Sequence, residues 1–308
     1  MTGDRQIGDR RIGDRAAFPP SDPLVAPRAG LSVADAALAR DLEAAAHRAW
    51  PPLRLHDHHG WTLRASAGAS RRGNSVWAHG EVPDVPAALA AVAAFYAAEG
   101  LPPTFQLTPV SQPAGLVPAL DAAGYDDSGP TDVCAAPLGG VTGAAGGGAA
   151  DPPPIGAATE TAPGDGWLRV AEQVLATFGA QRAGTLAVLD AVRLPAVYVT
   201  VAVDGVPAAV GRGVLDGRWL GIYSMATLPA ARGQGAARRV LAALGQWAAA
   251  RGATHAYLQV EEVSTVARRL YAELGFRPVY RYSYRRAPAA PVPGPGRRAA
   301  RPAAEDTP

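Results

Sequence analysis

The stretch from residue 196 to residue 227 constrains the fold most strongly, because its pattern favours an antiparallel meander over any helical arrangement. Three apolar segments, 196–203, 208–215 and 219–227, are separated by the pairs Asp204-Gly205 and Asp216-Gly217. An Asp-Gly pair between apolar runs is a strong signal for a two-residue hairpin, since the central positions of a type I′ turn need positive φ. We therefore predict three consecutive antiparallel strands.

Helices and strands continue on both sides of this meander. Helices are predicted at 167–178 and 185–192 before it, and a helix at 235–251, a strand at 255–260, a helix at 265–274 and a strand at 276–285 after it. The first half of the chain predicts helices at 33–49, 85–99 and 116–122, the first capped by Ser32, and strands at 61–65, 74–78, 104–108 and 131–135. This alternation predicts a mixed α/β sheet.

The 308 residues suggest about two domains. Residues 139–165 are mostly Gly, Ala, Pro and Thr, a composition that buries too little side chain to offset its ordering entropy, so we expect a linker there. A short Gly-Asp-Arg repeat opens the chain, and Pro, Ala and Arg close it. The expected organisation is a disordered leader 1–30, a domain 31–138, the linker 139–165, a domain 166–286 and a disordered tail 287–308.

Composition excludes several function classes. The chain has no lysine, so all 29 basic residues are arginines and lysine Schiff-base chemistry is ruled out. Cys134 is the one cysteine, which excludes a disulfide framework and a cysteine-rich zinc site. The net charge is +2, the tail lacks interleaved aromatic residues, and no apolar run could span a bilayer. We expect a cytoplasmic protein without a metal, nucleic acid or membrane partner.

The turn between the third meander strand and the next helix carries the strongest chemical motif. Gly233 and Gly235 allow positive φ and close backbone approach, so that several N–H groups converge at the positive end of the helix. Such a turn suits a pyrophosphate. The alternative is a tight strand-to-helix turn that binds no ligand. The missing lysine excludes a Walker loop, and the preceding hairpins exclude a Rossmann fingerprint.

The motif resembles the GNAT superfamily of acyl-CoA-dependent N-acetyltransferases, whose signature is Arg or Gln, two residues, Gly, one residue, then Gly or Ala. Arg232, Gly235 and Ala237 fill this signature, and residues 258–276 resemble a second block of the superfamily, with Ser264 in place of the usual Asn. In the first half, residues 120–125 parallel 271–276, but Leu120 stands at the position of Tyr271. The resemblance implies tandem GNAT-like domains in a mixed, mostly antiparallel sheet flanked by helices, the N-terminal domain being degenerate.

The resemblance also implies roles for individual residues. The loop amides would hold the pyrophosphate of the co-substrate acetyl-CoA, the Met225 amide would polarise the thioester carbonyl, and Tyr271 would protonate the leaving thiolate, with a purely structural core role as the alternative for Tyr271. The implied cofactor-binding residues are Met225, Thr227, Arg232, Gly233, Gln234, Gly235, Ala236, Ala237, Ser264 and Tyr271. Gly221 stands where some relatives have a glutamate, so Glu261, or after it Glu262, is the candidate base, with solvent as the other route. The implied mechanism is direct transfer.

The acceptor is predicted from a cluster of arginines. Arg72 and Asn74 lie beside a strand, and Arg212 lies on a strand expected to border the cleft, so the three suit an acceptor with carboxylates. The alternative for the first two is a solvated basic loop capped by Asn74. The chain also resembles, more loosely, actinobacterial two-part GNAT proteins of the N-acetylglutamate synthase type, which implies L-glutamate as the amine and a role in arginine biosynthesis. The alternatives are a mycothiol-synthase-like enzyme, a protein or peptide N-acetyltransferase, and a non-catalytic acyl-CoA sensor; a homodimer is left open.

Overall fold

The structure is a computed structural model that describes residues 32–148, 151 and 153–288. Within these residues one eleven-stranded sheet runs in the order β1-β2-β3-β4-β11-β5-β10-β9-β8-β7-β6. The strands are β1 Arg54–His58, β2 Trp61–Ala65, β3 Val76–Ala78, β4 Thr104–Leu107, β5 Asp126–Pro137, β6 Ala157–Glu160, β7 Ala196–Val203, β8 Val206–Asp216, β9 Trp219–Thr227, β10 His255–Glu261 and β11 Arg277–Arg286. The helices are α1 Val33–Ala49, α2 Val85–Ala98, α3 Leu116–Ala122, α4 Leu138–Thr142, α5 Asp165–Val174, α6 Ala176–Ala180, α7 Arg182–Ala191, α8 Ala236–Ala249 and α9 Thr265–Glu273.

Helices cover both faces of the sheet. On one face, Val240 and Leu244 of α8 pack with Val199, Leu220 and Leu258 of the strands; we call this the α8 face. On the other, the α1 face, Leu42 and Ala46 of α1 pack with tyrosines of β10 and β11. Residues of α5 join the same face over β7 and β8 through Trp167, Tyr198 and Val210. Alternating side chains thus pack into separate clusters on the two faces, as expected when a sheet is buried on both sides.

The two halves exchange strands across the middle of the sheet. β5 belongs to the first half but lies antiparallel to β10 and β11 of the second half. β11 in turn pairs with β4 of the first half. Each half therefore supplies its last strand to the other half, and the hydrogen-bonded sheet has no break between them.

The internal repeat predicted from the sequence is visible in local geometry. Each half contains a parallel strand pair, β3 with β4 and β9 with β10. Gly124 and Gly275 both adopt positive φ after a helix, and the amides of Tyr125 and Phe276 each bond the carbonyl five residues back, at 3.0 Å. The predicted fold class, tandem units in a mixed α/β sheet, is confirmed.

The two halves differ at the start of the helix that follows the first strand of each parallel pair. In the first turn of α2, the Asp84 carboxylate accepts from the Ala87 amide at 3.0 Å. An acidic group therefore occupies the helix start in the first half, whereas the corresponding helix start in the second half is open.

Most predicted elements are confirmed within a few residues, but the linker is not an unstructured connection. Residues 139–165 contain most of α4 and all of β6, and Val141 is fully buried. The small residues serve close packing here, since a Cβ on Gly245 of α8 would lie 2.8 Å from the Thr142 amide nitrogen. Strand β1 was not predicted, β5 is longer than predicted, and the helix predicted at 167–178 is interrupted because Leu175 adopts an extended conformation.

Two predictions fall largely outside the part of the chain that the structure describes. The leader 1–30 lies wholly outside it, and only residues 287 and 288 of the tail lie within it. Among the described residues, none of the helices is long and apolar enough to cross a membrane. The same residues form no group of three or more side chains suited to hold a metal ion. The domain boundaries themselves remain a prediction.

Candidate active site

A gap opens in the sheet where β9 and β10 part. The two strands pair in parallel from Trp219 and His255 as far as Ile222 and Leu258, and no pairing between them follows in the described register. β9 nevertheless continues to Thr227 and β10 to Glu261. Backbone groups on both strands beyond Ile222 and Leu258 are therefore available to a third, extended chain inserted between them.

A bulge in β9 lies next to this gap. The register of β8 with β9 shifts between Val210 and Arg212, and Ser224 has a φ of +51°. A bulge re-aims the residues around it, and positive φ in a residue other than glycine is a local strain that needs support from its surroundings. The bulge turns Met225 toward the core of the α8 face, where its side chain packs. Met225 also lines a cleft that extends to the start of α8.

The predicted glycine loop leads directly into α8. Gly233 and Gly235 have φ values of +77° and +71°, and Gly235 is the residue that caps the helix N-terminus. A Cβ on either glycine would meet nothing within 4 Å, so the loop is open to a ligand. The free N–H groups and the helix dipole make this end of α8 suited to an anion.

A cleft of about 740 Å³ joins the glycine loop to the gap. Its walls come from the end of β9, the loop, the start of α8 and helix α9, and Arg232, Arg238 and Arg269 line it. This volume is typical of a small-molecule site. Nine of the predicted cofactor-binding residues line the cleft: Met225, Thr227, Arg232, Gly233, Gly235, Ala236, Ala237, Ser264 and Tyr271. The Gln234 side chain instead donates to the Ala230 carbonyl at 3.0 Å. A long ligand that carries phosphates at one end fits this arrangement.

Tyr271 is both a core residue and a wall of the cleft. Its side chain is 7% exposed, and its ring packs edge-on against Phe276 with centroids 5.8 Å apart. Burial, with a smaller contribution from Cys134, raises the pKa of the Tyr271 hydroxyl to about 12, so it is protonated at neutral pH. Among the described residues, no hydrogen-bond partner holds this hydroxyl. The core role and the role as an acid, both considered from the sequence, are therefore compatible for Tyr271. Cys134 itself is buried with a raised pKa, which makes a nucleophilic role unfavourable.

Two tyrosines occupy the space above Gly221. The Tyr223 and Tyr257 hydroxyls lie 2.5 Å apart, and a Cβ on Gly221 would lie 2.8 Å from the Tyr257 oxygen. A glutamate side chain at this position would displace the pair. Burial raises the pKa of both phenols, so neither is a base at neutral pH.

The two candidate carboxylates are each held in an ion pair. Glu261 bonds Arg71 across the rim of the gap, and its side chain is 48% exposed. Glu262 bonds Arg281 at 3.0 Å. Neither the assignment of Glu261 nor that of Glu262 as a base is tested by these contacts, which show only that each carboxylate is paired with an arginine.

The three residues predicted to bind the acceptor have different surroundings. The Asn74 carboxamide closes its own loop: its oxygen accepts from the Ser66 and Gly68 amides and its nitrogen donates to Ser70. This leaves at most one N–H of Asn74 for a ligand.

Arg212 is fully buried on the α1 face. Its guanidinium lies over the rings of Trp50 and Tyr223 and donates to the Ala49 carbonyl, so a ligand could reach it only after rearrangement. Arg72 differs from both, because it lies beside Tyr282 and bonds its hydroxyl at 3.2 Å. The structure brings Arg72, and not Asn74, toward the gap.

A cluster of polar side chains on the α1 face was not predicted. Buried Glu43 accepts from Tyr280, and from Gln106 at 3.1 Å. Tyr282 donates to Gln259 at 3.1 Å. The repeated Tyr280, Tyr282 and Tyr284 are the one sequence signal that could have indicated it, since alternate residues of a strand share a face.

Comparison with known proteins gives consistent results. A family model described as "Probable histone acetyltransferase Rv0428c C-terminal" matches residues 36–285. The chain is 27% identical over 253 residues to a Bacillus subtilis (strain 168) protein called uncharacterized N-acetyltransferase YobR, and the match covers 80% of this chain and 97% of that protein.

Solved structures share the fold. A GCN5-related N-acetyltransferase from Kribbella flavida superposes with a TM-score of 0.58 at 18% identity, covering 85% of this chain and 98% of its own. A tandem GNAT protein from the clavulanic acid biosynthesis pathway gives a TM-score of 0.50 at 16% identity, covering 67% of this chain and 70% of its own. At these identities the likeness concerns the fold alone.

Proposed function

The chain belongs to the family described as probable histone acetyltransferase Rv0428c C-terminal and is a GNAT-type acyltransferase, and on this premise we propose that it moves the acetyl group of acetyl-CoA directly to a primary amine bound on the α1 face. The observation that carries the proposal is the parting of β9 and β10 beside an open, glycine-lined helix N-terminus. One end of the cleft suits a pyrophosphate, and the other end is a gap through the sheet.

The chain's own groups account for the binding of acetyl-CoA. Amides at the start of α8 receive the pyrophosphate, with Arg232 adding charge at the mouth. The pantetheine arm lies between β9 and β10 and bonds backbone groups at Met225 and Thr227. This geometry brings the thioester carbonyl to the Met225 amide, which stabilises the negative charge that develops on its oxygen.

Transfer then exchanges one bond for another. The amine nitrogen enters from the α1 face, because α8, α9 and the cofactor occupy the α8 face. The C–N bond forms as the C–S bond breaks, and the Tyr271 O–H hydrogen-bonds the departing sulfur. Because the Tyr271 pKa of about 12 exceeds that of a thiol, ordinarily about 8.5, passing a proton to sulfur leaves a strongly basic phenolate, and this phenolate regains its proton from the N–H that the nitrogen loses as the amide forms.

The amine loses its first proton to water in this mechanism. Gly221 has no side chain, the phenols beside it have raised pKa values, and Glu261 and Glu262 are held in ion pairs. We therefore expect the rate to rise with pH as the free amine becomes available, with no loss from Tyr271 until pH approaches about 12.

The acceptor is a small amine in the leading proposal. For L-glutamate and a role in arginine biosynthesis, support is limited to Arg72, because Asn74 and Arg212 are engaged elsewhere and none of the relatives named above is described as using glutamate. The family description favours a second candidate, the lysine amine of a histone-like peptide. An acidic groove would suit such a peptide, but the rim carboxylates here are neutralised by arginines.

The test is release of free CoA thiol from acetyl-CoA by the full chain, with mass-spectrometric detection of the acetylated amine. The panel contains the twenty amino acids, simple amines, aminosugars, cysteinyl-glucosaminyl-inositol and a lysine-rich peptide. Saturable thiol release matched one to one by an acetylated product supports the proposal. Tight acetyl-CoA binding without turnover on any amine would overturn it in favour of a sensing role.

A further inference from the structure

Several buried hydrogen-bond donors on the α1 face, among them the Nε and Nη1 of Arg212, have no acceptor among the residues that the structure describes, and two of these donors belong to side chains bonded to Tyr282. Those two are the Arg72 Nε and the Gln259 Nε2. Buried donors are nearly always satisfied, so each unsatisfied one requires an explanation, such as a water or a ligand. The two belong to one cluster, because Tyr282 accepts from Arg72 at 3.2 Å and donates to the Gln259 Oε1 at 3.1 Å.

The cluster lies at the gap in the sheet. Gln259 is the first residue of β10 after Leu258, where pairing with β9 ends. Its side chain points to the α1 face, as do those of Tyr257 and Tyr282 on the same face of the sheet. In the proposed complex, an acceptor on this face would meet Gln259 and Arg72 beside the gap.

Arg72 also lacks a direct ion pair. In the described part of the chain no carboxylate forms an ion pair with it, whereas its neighbour Arg71 pairs with Glu261. Buried Glu43 attracts Arg72 electrostatically, but its hydrogen bonds come from Tyr280 and Gln106. A buried N–H without an acceptor is unfavourable, and a carboxylate is the group that best matches the donors of a guanidinium.

We propose that Arg72 and Gln259 together receive a carboxylate of the acceptor, with Tyr282 as the residue that positions them, so that the substrate is an amine that also carries a carboxylate. The carboxylate oxygens accept from Arg72 Nε and Gln259 Nε2, and the amine of the same molecule faces the thioester. Arg212 takes no part, because its guanidinium is covered by Trp50, Tyr223 and the Ala49 carbonyl. This inference rests on the proposed function and names its substrate class.

The experiment compares each amino acid that is acetylated with its own α-carboxamide, using the full chain. Replacing the carboxylate by a carboxamide lowers the pKa of the amine, so a larger fraction of the amine is unprotonated and reactive. Any preference for the acid must therefore come from binding. For the wild type we expect kcat/KM at least about tenfold higher for the acid. Arg72→Gln, Gln259→Glu and Tyr282→Phe should raise KM for the acid about 10- to 100-fold with little change in kcat and little change for the amide.

A charge control and a binding measurement keep the test decisive. Arg251→Gln removes an exposed arginine at the end of α8 and should change neither KM nor kcat. Equal turnover of acids and amides, unaffected by Arg72→Gln, would overturn the carboxylate site while leaving the acetyltransferase proposal intact. If no amine is turned over, calorimetry of amino acids with the CoA-loaded protein decides: binding lost in Arg72→Gln supports the site, and no binding overturns it.

Discussion

At the scale of single residues, Gly235 shows how backbone conformation makes a binding site. Its φ of +71° is unfavourable for any residue with a Cβ, and a Cβ there would meet no neighbour. The requirement for glycine therefore comes from the turn of the chain into α8 and not from crowding. The same conformation directs the amides that follow toward the cleft, which connects one torsion angle to the proposed binding of a pyrophosphate.

We predict that Gly235→Ala weakens acetyl-CoA binding about 10- to 100-fold, because relaxation of the strained φ re-aims N–H groups that bind charged oxygens. The control is Gly252→Ala at the other end of α8, where φ is +87° and a Cβ also meets nothing within 4 Å. Both variants should lose about 1 to 2 kcal/mol of stability, measured by urea unfolding. Calorimetry should show weaker acetyl-CoA binding in Gly235→Ala alone; equal affinities would contradict this account of the loop.

At the scale of elements, the meander was well predicted because its signals are local. The Asp204-Gly205 turn has positive φ at both residues, as a type I′ turn requires, and the predicted bounds of β7 and β9 match the structure. The gap between β9 and β10 has no such local signal. Hydrophobic periodicity could not reveal the gap, because the pairing register of two strands distant in the sequence is not encoded in the pattern of either strand alone.

The bulge between β8 and β9 predicts a second contrast. A Cβ on Gly211 would lie 2.6 Å from both the Met225 sulfur and a methyl of Val240, whereas one on Gly213 would meet side-chain carbons at 3.0 Å or more. Gly211→Ala should therefore displace Met225, lose about 1 to 3 kcal/mol of stability and reduce kcat. Gly213→Ala should lose less stability and keep kcat. Thermal unfolding and turnover measured on both variants would check this, and the reverse order of effects would contradict it.

At the scale of the whole molecule, the sequence indicated two related halves but not their exchange of strands. Residues 120–125 and 271–276 look alike, and the structure gives both the same helix-ending turn. Nothing in the composition of β5 or β11 indicates which half each strand joins. The choice depends on long-range pairing, and for the same reason the cluster around Glu43, Arg72 and Tyr282, drawn from both halves, could not be predicted.

The exchange predicts that residues 166–286 do not fold by themselves. Without β5 this fragment loses the strand between β10 and β11, and both are left with exposed edges. We expect aggregation or an expanded chain by size-exclusion chromatography and no cooperative thermal transition by circular dichroism. Adding a fragment 32–148 should restore folding. A monomeric fragment 166–286 that unfolds cooperatively and binds acetyl-CoA would show that the halves are independent.

In the proposed mechanism, acetyl transfer occurs at the gap between β9 and β10 with Tyr271 at the sulfur. The most direct measurement is kcat for thiol release by Tyr271→Phe beside the wild type and a matched Tyr125→Phe, which alters a half-buried tyrosine near the equivalent turn of the first half. We predict that kcat falls about 10²- to 10⁴-fold in Tyr271→Phe, with acetyl-CoA affinity unchanged, and stays at the wild-type value in Tyr125→Phe. A Tyr271→Phe variant that turns over as fast as the wild type would contradict this mechanism.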